Sequence, residues 1–539
     1  MELYVTEISK YVIDLFMLLY MTEAFMTFRF KTEKKRKGIY IRQIICMFVV
    51  QLSCFIQIIA RTGKPVYLFF FAFQIIIFAA VLMMFYAIYP GGNRLIINNS
   101  CLLLMISMIV LTRLSYDRAV KQFFIVTASF IIGFFVPQII LRFEFIKKFT
   151  WLYAALGVAA IGAVLLYSAA TNGSKITYTL AGITFQPSEV VKILFLFFLS
   201  GALYSADNIW QLMIASVVAA GHVIILVLSK DLGSALIFFV IYLALIYIST
   251  EKIGFLVLGF FAGAIASVFA YMLFSHIRRR VQAWLDPFGD IASSGYQLSQ
   301  SLFGISSGGW FGLGLYGGSP TSIPFVEQDF IFSAIAEELG VIFAVLMTLI
   351  ILSSFMMIMY EGYYIRDKYY RLVVCGIGVS YIFQTFLTIG GGSKFIPLTG
   401  VTLPLVSYGG TSVLVTIVMM MIVEGVCLIR TDERCEAMER RRQRRLEAQK
   451  RVSNREQDDY YERRPYGTKE AAEEKEYQRA GRYEKSTDNA QYREYREHRD
   501  PEQYRERGEY RDTEQYRERR EYRGPERYGH EGYTEEDSD

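Results

Sequence analysis

Long apolar runs alternate with shorter polar stretches from the start of the chain to about residue 430. A helix needs about 20 mostly apolar residues to cross the hydrocarbon core of a bilayer, and each run is close to that length. The pattern predicts thirteen membrane-spanning helices, near residues 9–28, 43–60, 66–89, 97–113, 119–141, 150–168, 188–205, 209–229, 232–249, 254–275, 329–358, 372–390 and 408–430. We therefore expect an all-α polytopic membrane protein.

Basic residues between the runs predict the orientation of the chain. Lys and Arg are concentrated in residues 30–37, in residues 364–371 and directly after residue 430. Since cytoplasmic loops carry an excess of Lys and Arg, all three segments are expected in the cytoplasm. Thirteen spans then place the N-terminus outside and the C-terminus inside. The first run has charges on both sides and no small-residue cleavage site, so we expect a retained span rather than a signal peptide.

Three long loops rich in Gly, Pro and polar residues consequently lie on the outer side: 169–187, 276–328 and 391–407. Loops as long as 276–328 are usually functional or disordered. Because this loop also carries Trp284 and Trp310, we expect it to fold back onto the membrane surface. Non-helical backbone at membrane depth is tolerated only where protein or a wet cavity covers it.

Charge divides the 539 residues into two parts, because residues 1–430 carry a net +9 and residues 431–539 a net −4. The basic surplus beside the membrane suits anionic lipid headgroups and requires no nucleic acid. The six cysteines form no CxxC pair and two of the four histidines lie in the last hundred residues. No metal cluster is therefore predicted.

Residues 431–539 have few aliphatic side chains, and Glu502–Arg507 recurs as Glu514–Arg519. Such a segment cannot bury enough apolar surface to fold alone, so we expect a mostly disordered cytoplasmic tail. Its start, 433–452, is expected to continue as a helix. A docking strip for cytoplasmic partners and a passive solubilising tail both remain open.

Several charged residues on the outer side are candidates for chemistry. Glu189 and Lys192 lie three apart on a predicted helix and hence on one face. A charge deep in a bilayer costs at least about 2.5–3.5 kcal/mol, so the pair is either a structural ion pair or part of a site. Asp231 and Asp329 each precede an apolar run, where an acidic residue is either a helix cap or a functional group.

Five sequence motifs follow one another in a specific order: FQPSEVVK (185–192), KDLGSAL (230–236), a loop running from RVQAWLDP (280–287) to GYQLSQSLFGISSGGWFGLGL (295–315), DFIFSAIAEELG (329–340) and PLTGVTLPLVSYGGTS (397–412). In order and spacing they resemble the SEDS family (shape, elongation, division and sporulation), which includes the RodA, FtsW and SpoVE proteins. The resemblance covers residues 97–430. It implies a ten-helix SEDS-type core at 91–430, preceded by about three extra transmembrane helices at 1–90.

The resemblance also implies a function. Members of the family are peptidoglycan glycosyltransferases that polymerise lipid II on the outer face of the bacterial cytoplasmic membrane. They work with a class B penicillin-binding protein, a transpeptidase, during cell elongation, division or sporulation. The sequence does not identify which of the three processes this chain serves.

Residue roles follow from the same resemblance. It implies that Asp329 is catalytic, that Glu189 and Lys192 form a buried pair important for activity, and that Asp231 lines the central cavity. The remaining candidates for the substrate cavity are Arg280, Lys394, Tyr178 and Ser407. Arg280 matches the arginine before the family's loop proline, and Tyr178 is the candidate to replace a tryptophan usual in the family. Lys394 belongs to an SKF sequence that is unusual for the family.

The chemistry of glycosyl transfer fits these residue types. A carboxylate can take the proton of the acceptor hydroxyl, which predicts Asp329 as general base. The pyrophosphate leaving group needs positive charge from Lys192, Arg280 or Lys394, or from a divalent cation such as Mg²⁺ or Mn²⁺. One base without an evident nucleophile predicts single displacement with inversion.

Two other classes of function remain open. A transporter or flippase for a lipid-linked precursor would also carry an intramembrane ion pair, although no inverted repeat of broken helices is evident. A non-catalytic scaffold for the division or elongation machinery would use the tail and the extra spans. The presence of Asp329, Asp231 and the Glu189–Lys192 pair together counts against a scaffold.

Overall fold

The computed structural model describes residues 2–30, 33–167, 178–180, 183–462, 473–474 and 476–477. In this part of the chain the protein is helical apart from one hairpin. The helices are α1 (Glu2–Arg29), α2 (Glu33–Thr62), α3 (Val66–Ile88), α4 (Arg94–Leu114), α5 (Tyr116–Arg142), α6 (Thr150–Tyr167), α7 (Pro187–Tyr204), α8 (Ile209–Leu228), α9 (Leu232–Thr250), α10 (Ile253–Leu273), α11 (Ser275–Leu285), α12 (Tyr296–Gly308), α13 (Ile331–Glu338), α14 (Gly340–Tyr364), α15 (Lys368–Gly392) and α16 (Gly410–Glu462). The hairpin pairs β1 (Tyr178–Leu180) with β2 (Ile183–Phe185).

Thirteen of the helices are long and apolar enough to cross a membrane, which confirms the predicted number of spans. They are α1 to α10 and α14 to α16. Helix α4 is the most central of them, because its whole apolar stretch is buried among its neighbours. Helix α10 is the opposite case and buries no residue, as expected for a helix whose apolar surface faces lipid.

The three extra N-terminal helices are integral to the bundle. Helix α1 packs on α2 and α14, α2 packs on α4, and α3 packs on α4 and α5. Buried side chains also bond from these helices to α4: Tyr20 of α1 donates to Asn99 (2.9 Å), and Gln43 of α2 accepts from Asn98 (2.9 Å). Such interhelical hydrogen bonds help hold helices together where lipid supplies no hydrophobic driving force.

The loop 276–328 is well structured, since it contains most of α11, all of α12 and a 3₁₀ turn at Pro320–Ser322. It folds back onto the ends of α13 and α15. The Trp284 indole N–H donates to the carbonyl oxygen of Lys394 (3.1 Å). Ser301 in α12 bonds to the hydroxyl of Ser333 (2.6 Å) and to the carbonyl of Gly392 (2.7 Å).

The prediction that Asp329 opens one long helix over 329–358 is wrong. Two helices occupy this stretch, the short α13 and the long α14, and the chain breaks between them at Gly340, whose φ is +93°. The residue that precedes α13 is Phe330, and no side chain caps that helix. Asp329 is therefore not a helix cap.

The break exists because a loop backbone completes the hydrogen bonds that the two helices leave open. The N–H groups of Leu313 and Gly314 donate to the carbonyls of Glu337 (3.0 Å) and Glu338 (2.8 Å) at the end of α13. In return, the first N–H groups of α14 are satisfied by the carbonyls of Gly309 and Trp310. Orphan backbone groups are thus paired on both sides of the break.

Helix α16 continues far beyond its membrane-spanning part, to Glu462, and so confirms the helix expected at 433–452. The chain divides into two compact units, Met1–Arg440 and Arg441–Asp539. Helix α16 extends ten residues beyond the predicted end at 452, and apart from residues 473–474 and 476–477 the rest of the tail, for which disorder is predicted, lies outside the described ranges.

Gly340→Ala tests the helix break. A Cβ at this position would lie 2.5 Å from Gly312 N and Trp310 O, both backbone atoms, and the left-handed φ adds about 1–2 kcal/mol. We expect the unfolding temperature in detergent to fall by several degrees. The control is Gly162→Ala in α6, where no atom lies within 4 Å and alanine favours the helix. Equal unfolding temperatures for the two variants would contradict this account.

Candidate functional site

The motifs that follow one another along the chain come together at one end of the helical bundle. Successive spans reverse direction, so the starts of α7, α9, α14 and α16 lie at one end of the bundle. The loop 276–328 and the segment 393–409 lie at the same end. A direct contact joins two of these starts, since the Gln186 N–H donates to the hydroxyl of Thr411 (3.2 Å).

Asp231 joins the starts of α7 and α9. Its Oδ1 accepts a hydrogen bond from the Ser234 N–H (3.1 Å), which is the helix-capping contact considered from the sequence. Its Oδ2 accepts from the Ser188 hydroxyl (2.9 Å) and from the Gln186 amide (3.2 Å). Asp231 is therefore both a cap and a link between two motif segments.

Glu189 and Lys192 form the ion pair that their spacing predicts. Lys192 Nζ lies 2.8 Å from Glu189 Oε2 and 2.8 Å from Gln384 Oε1, and its side chain is buried. The amide of Gln384 in turn donates to the carbonyl of Thr402 (2.9 Å). The pair is thus connected through Gln384 of α15 to the PLTGVTLPLVSYGG segment. Because the two charges compensate each other in a buried position, removing either partner would be costly.

Ser407 holds the backbone that precedes Asp329. Its hydroxyl donates to the carbonyl of Gln328 and accepts from the Leu403 N–H (2.9 Å). One residue further, the Tyr408 N–H donates to the carbonyl of Glu327 (2.7 Å). Ser407 is fully buried in this contact, so it supports the Asp329 segment instead of lining an open cavity.

Asp329 lies beside Arg280, with Gly400 between them. An ideal Cβ built on Gly400 would lie 3.7 Å from both Arg280 Nη2 and Asp329 Oδ2. Gly400 has a φ of +77° and is exposed, so the gap between the two charged groups opens to the outside. Arg280 is oriented by the carbonyls of Thr399 (2.9 Å) and Leu398 (3.2 Å), to which its Nη1 donates.

The electrostatics of this gap favour proton transfer near neutral pH. Burial raises the pKa of Asp329 to about 7, against the opposing effect of the Arg280 charge. Burial also lowers the pKa of the Arg280 guanidinium, while the carboxylates of Asp329 and Asp231 raise it. Arg280 is therefore within electrostatic range of both acidic residues. A carboxylate with a pKa near the working pH is suited to act as a general base.

The remaining two candidates from the sequence are Lys394 and Tyr178. Lys394 has a left-handed backbone (φ +63°), and its carbonyl accepts the Trp284 bond. Among the described residues, its ammonium group has no hydrogen bond or ion pair. Tyr178 pairs with Phe185 in the hairpin directly before the QPSE motif. Its side chain lies outside what the structure describes.

Two residues of the site were not singled out in the sequence. Gln384 was detectable as a polar side chain inside an apolar run. Arg118 of α5 forms an ion pair with Glu327, two residues before Asp329, and no local pattern in the sequence indicates it. Within the described ranges, no group of three or more His, Cys, Asp or Glu side chains is placed to hold a metal ion.

Comparisons with known proteins cover most of the helical bundle. The family model of the FtsW, RodA and SpoVE cell cycle proteins matches residues 93–431. The peptidoglycan glycosyltransferase RodA of Mycobacterium tuberculosis is 35% identical over 278 residues, which is 47% of this chain and 58% of that protein. The probable peptidoglycan glycosyltransferase FtsW of Buchnera aphidicola is 31% identical and covers 57% of this chain and 88% of its own length.

The chain spans a little over half the length of the RodA relatives it matches. A chain of a solved peptidoglycan synthase complex has the same fold, with a TM-score of 0.54 at 22% identity, over 63% of this chain and 98% of its own. The match of the family model begins at residue 93, so α1 to α3 lie outside it. From the extent of that match, this chain is a multi-pass membrane protein that belongs to the FtsW, RodA and SpoVE family of cell cycle proteins.

Proposed function

We propose that the chain is a peptidoglycan glycosyltransferase that polymerises lipid II into glycan strands. The observation that carries the proposal is the placement of Asp329 beside Arg280 in a gap that opens at Gly400. Asp329, with a pKa near 7, is suited to take the proton that the acceptor hydroxyl loses. Arg280, on the other side of the gap, is suited to balance the negative charge that develops on the leaving group. The names of the relatives support the same activity.

The proposed reaction is a single displacement. The Asp329 carboxylate takes the proton of the acceptor's 4-hydroxyl group as that oxygen attacks the anomeric carbon of the donor. The bond between that carbon and the pyrophosphate oxygen breaks, and the undecaprenyl pyrophosphate leaves with the electron pair. Attack from the side opposite the leaving group inverts the anomeric carbon.

Arg280 is the preferred cation for the leaving group. Lys192 is fully buried and already bonded to Glu189 and Gln384, so its proposed role is to maintain the shape and charge of the cavity. Lys394 is a second candidate, because its ammonium group has no partner among the described residues. If the reaction uses Mg²⁺ or Mn²⁺, the carboxylate of Asp231 or Asp329 would hold the ion, which would supply further positive charge for the leaving group.

The partner and the orientation complete the proposal. A class B penicillin-binding protein is the proposed transpeptidase partner, as one solved relative belongs to a peptidoglycan synthase complex. The proposed orientation has the C-terminus of the chain in the cytoplasm, which the basic segments support. In that orientation the proposed site of lipid II polymerisation, at Asp329, is on the outer face of the bacterial cytoplasmic membrane.

The decisive experiment measures polymerisation of fluorescent lipid II by the purified protein, with and without the transpeptidase and divalent ions. Asp329→Asn should reduce the rate by about 10²–10⁴-fold, because a general base contributes that much. The wild-type rate should rise with pH through about 7, as the carboxylate loses its proton. The control is Asp207→Asn, an exposed residue at the opposite end of the bundle, which should leave the rate unchanged.

Normal polymerisation by Asp329→Asn would exclude this mechanism. If neither the wild-type protein nor Asp329→Asn polymerises lipid II, but both move it across the membrane of vesicles, the chain is a transporter. If Asp329→Asn costs the cell nothing while deletion of residues 450–539 abolishes localisation, the chain is a scaffold.

Asp329→Asn should also change the pH dependence of stability. The pKa of Asp329 in the folded protein is about 7, above the value of about 3.9 for an unfolded chain. Between these values the folded state binds more protons, so the free energy of unfolding decreases as pH rises through that window. Asparagine does not titrate, and the unfolding temperature of the variant relative to wild type should increase from pH 5 to pH 8. Parallel curves would show that the burial of this carboxylate has no energetic consequence.

The Glu189–Lys192 pair calls for a double variant. Either Glu189→Gln or Lys192→Met alone leaves a buried charge uncompensated and should lower the unfolding temperature, since breaking a buried pair costs about 3–5 kcal/mol. The double variant removes both charges and should recover most of that stability. If the pair serves the substrate cavity, polymerisation remains low in the stable double variant. Recovery of both stability and activity would show that the pair is structural.

A further inference from the structure

We propose that Gln57, which lies outside the region matched by the family model, is a positioning residue for Asp329. It acts through the 309–316 loop, which is the segment that completes the helix break at Gly340. The inference rests on the proposed function, and it assigns a task to the extra helices α1 and α2.

A buried backbone group carries the argument. Leu315 lies inside the matched region and is 1% exposed, and its N–H donates to Gln57 Oε1 (3.1 Å). The Gln57 amide donates to the Ser9 hydroxyl (2.6 Å), and that hydroxyl donates to the carbonyl of Thr6 (3.2 Å). A buried N–H without a partner is rare in folded proteins because it costs the full desolvation penalty. The 309–316 loop therefore depends on side chains that lie outside the region matched by the family model.

Two further contacts join α1 to the same loop. The rings of Tyr11 and Phe311 lie 5.1 Å apart and are tilted by 58°. A Cβ at Gly314 would lie 2.5 Å from Thr6 Cγ2, so α1 packs directly on the loop backbone. The loop is thus held along its length by residues from α1 and α2.

The 309–316 loop in turn fixes the far end of α13. Besides the backbone bonds to Glu337 and Glu338, the Tyr316 N–H donates to the Glu338 carboxylate (3.1 Å), which also pairs with Arg113 (2.9 Å). Helix α13 has eight residues, a length of about 12 Å, and begins two residues after Asp329. A shift of the loop is therefore passed through one short rigid helix to the proposed base.

Gln57→Leu tests the proposal, because leucine fills a similar volume but leaves the Leu315 N–H without an acceptor. The matched control is Gln51→Leu on the same helix. Gln51 is equally buried, and it donates to Gln74 (2.9 Å) within the extra helices. Gln51→Leu loses one buried hydrogen bond, whereas Gln57→Leu loses the bond to Ser9 and the bond from Leu315, and of the two residues only Gln57 bonds to the loop.

Two measurements separate positioning from general damage. Hydrogen exchange of the full-length protein in detergent should become faster across residues 311–342 in Gln57→Leu and stay at the wild-type rate there in Gln51→Leu. In the polymerisation assay, kcat of Gln57→Leu should fall about tenfold with KM for lipid II unchanged, since small displacements of a catalytic group are costly. Tyr11 is exposed, so its replacement carries little risk to folding. Like Gln57→Leu, Tyr11→Ala should speed hydrogen exchange over residues 311–342 and lower kcat.

The hydrogen-exchange measurement does not depend on the proposed activity. If the wild-type protein does not polymerise lipid II, the proposed function fails, and exchange over 311–342 still decides whether Gln57 holds the loop. Wild-type exchange in Gln57→Leu would overturn the inference. An equal fall of kcat in Gln57→Leu and Gln51→Leu would also overturn it, because general destabilisation would then explain the loss.

Discussion

The need to pair every backbone group away from water governs the functional end of this protein. A continuous helix over residues 329–358 would satisfy that need by itself, but it would place Asp329 in the first turn of a straight rod. The chain breaks the helix at Gly340 and lets the 309–316 loop supply the missing bonds on both sides. Because the loop supplies these hydrogen bonds, the short helix α13 is possible, and the irregular segment before it presents the Asp329 carboxylate next to Arg280.

Charges at this end are organised in two different ways. Glu189 and Lys192 neutralise each other and are held by Gln384, so they tolerate deep burial at limited cost. Asp329 and Arg280 are near each other without a hydrogen bond between them among the described contacts, and the carboxylate retains a pKa near neutrality. The first arrangement stabilises a shape, whereas the second leaves a proton acceptor available. Asp231 belongs to both, since it caps a helix and also influences Arg280.

Much of this architecture could be predicted from the sequence. Apolar length gave the number of spans because lipid imposes one helix length on every crossing. The i, i+3 spacing gave the Glu189–Lys192 pair, since helix geometry alone brings those side chains together. The break at Gly340 was missed because its cause lies some thirty residues earlier in the chain, in a loop backbone that no local pattern reveals. The contacts of Gln384 and Arg118 were missed for the same reason: each joins segments far apart in sequence.

Gly400 limits what can change at the centre of this gap. Its positive φ favours glycine for reasons of backbone strain, and a Cβ there would lie at ordinary contact distance from both Arg280 and Asp329, in the space between the two charges. Backbone conformation and access to the gap therefore constrain the same small residue. A change of substrate preference that keeps this geometry would have to come from the residues that flank the gap, because its floor cannot gain a side chain without backbone strain and loss of space.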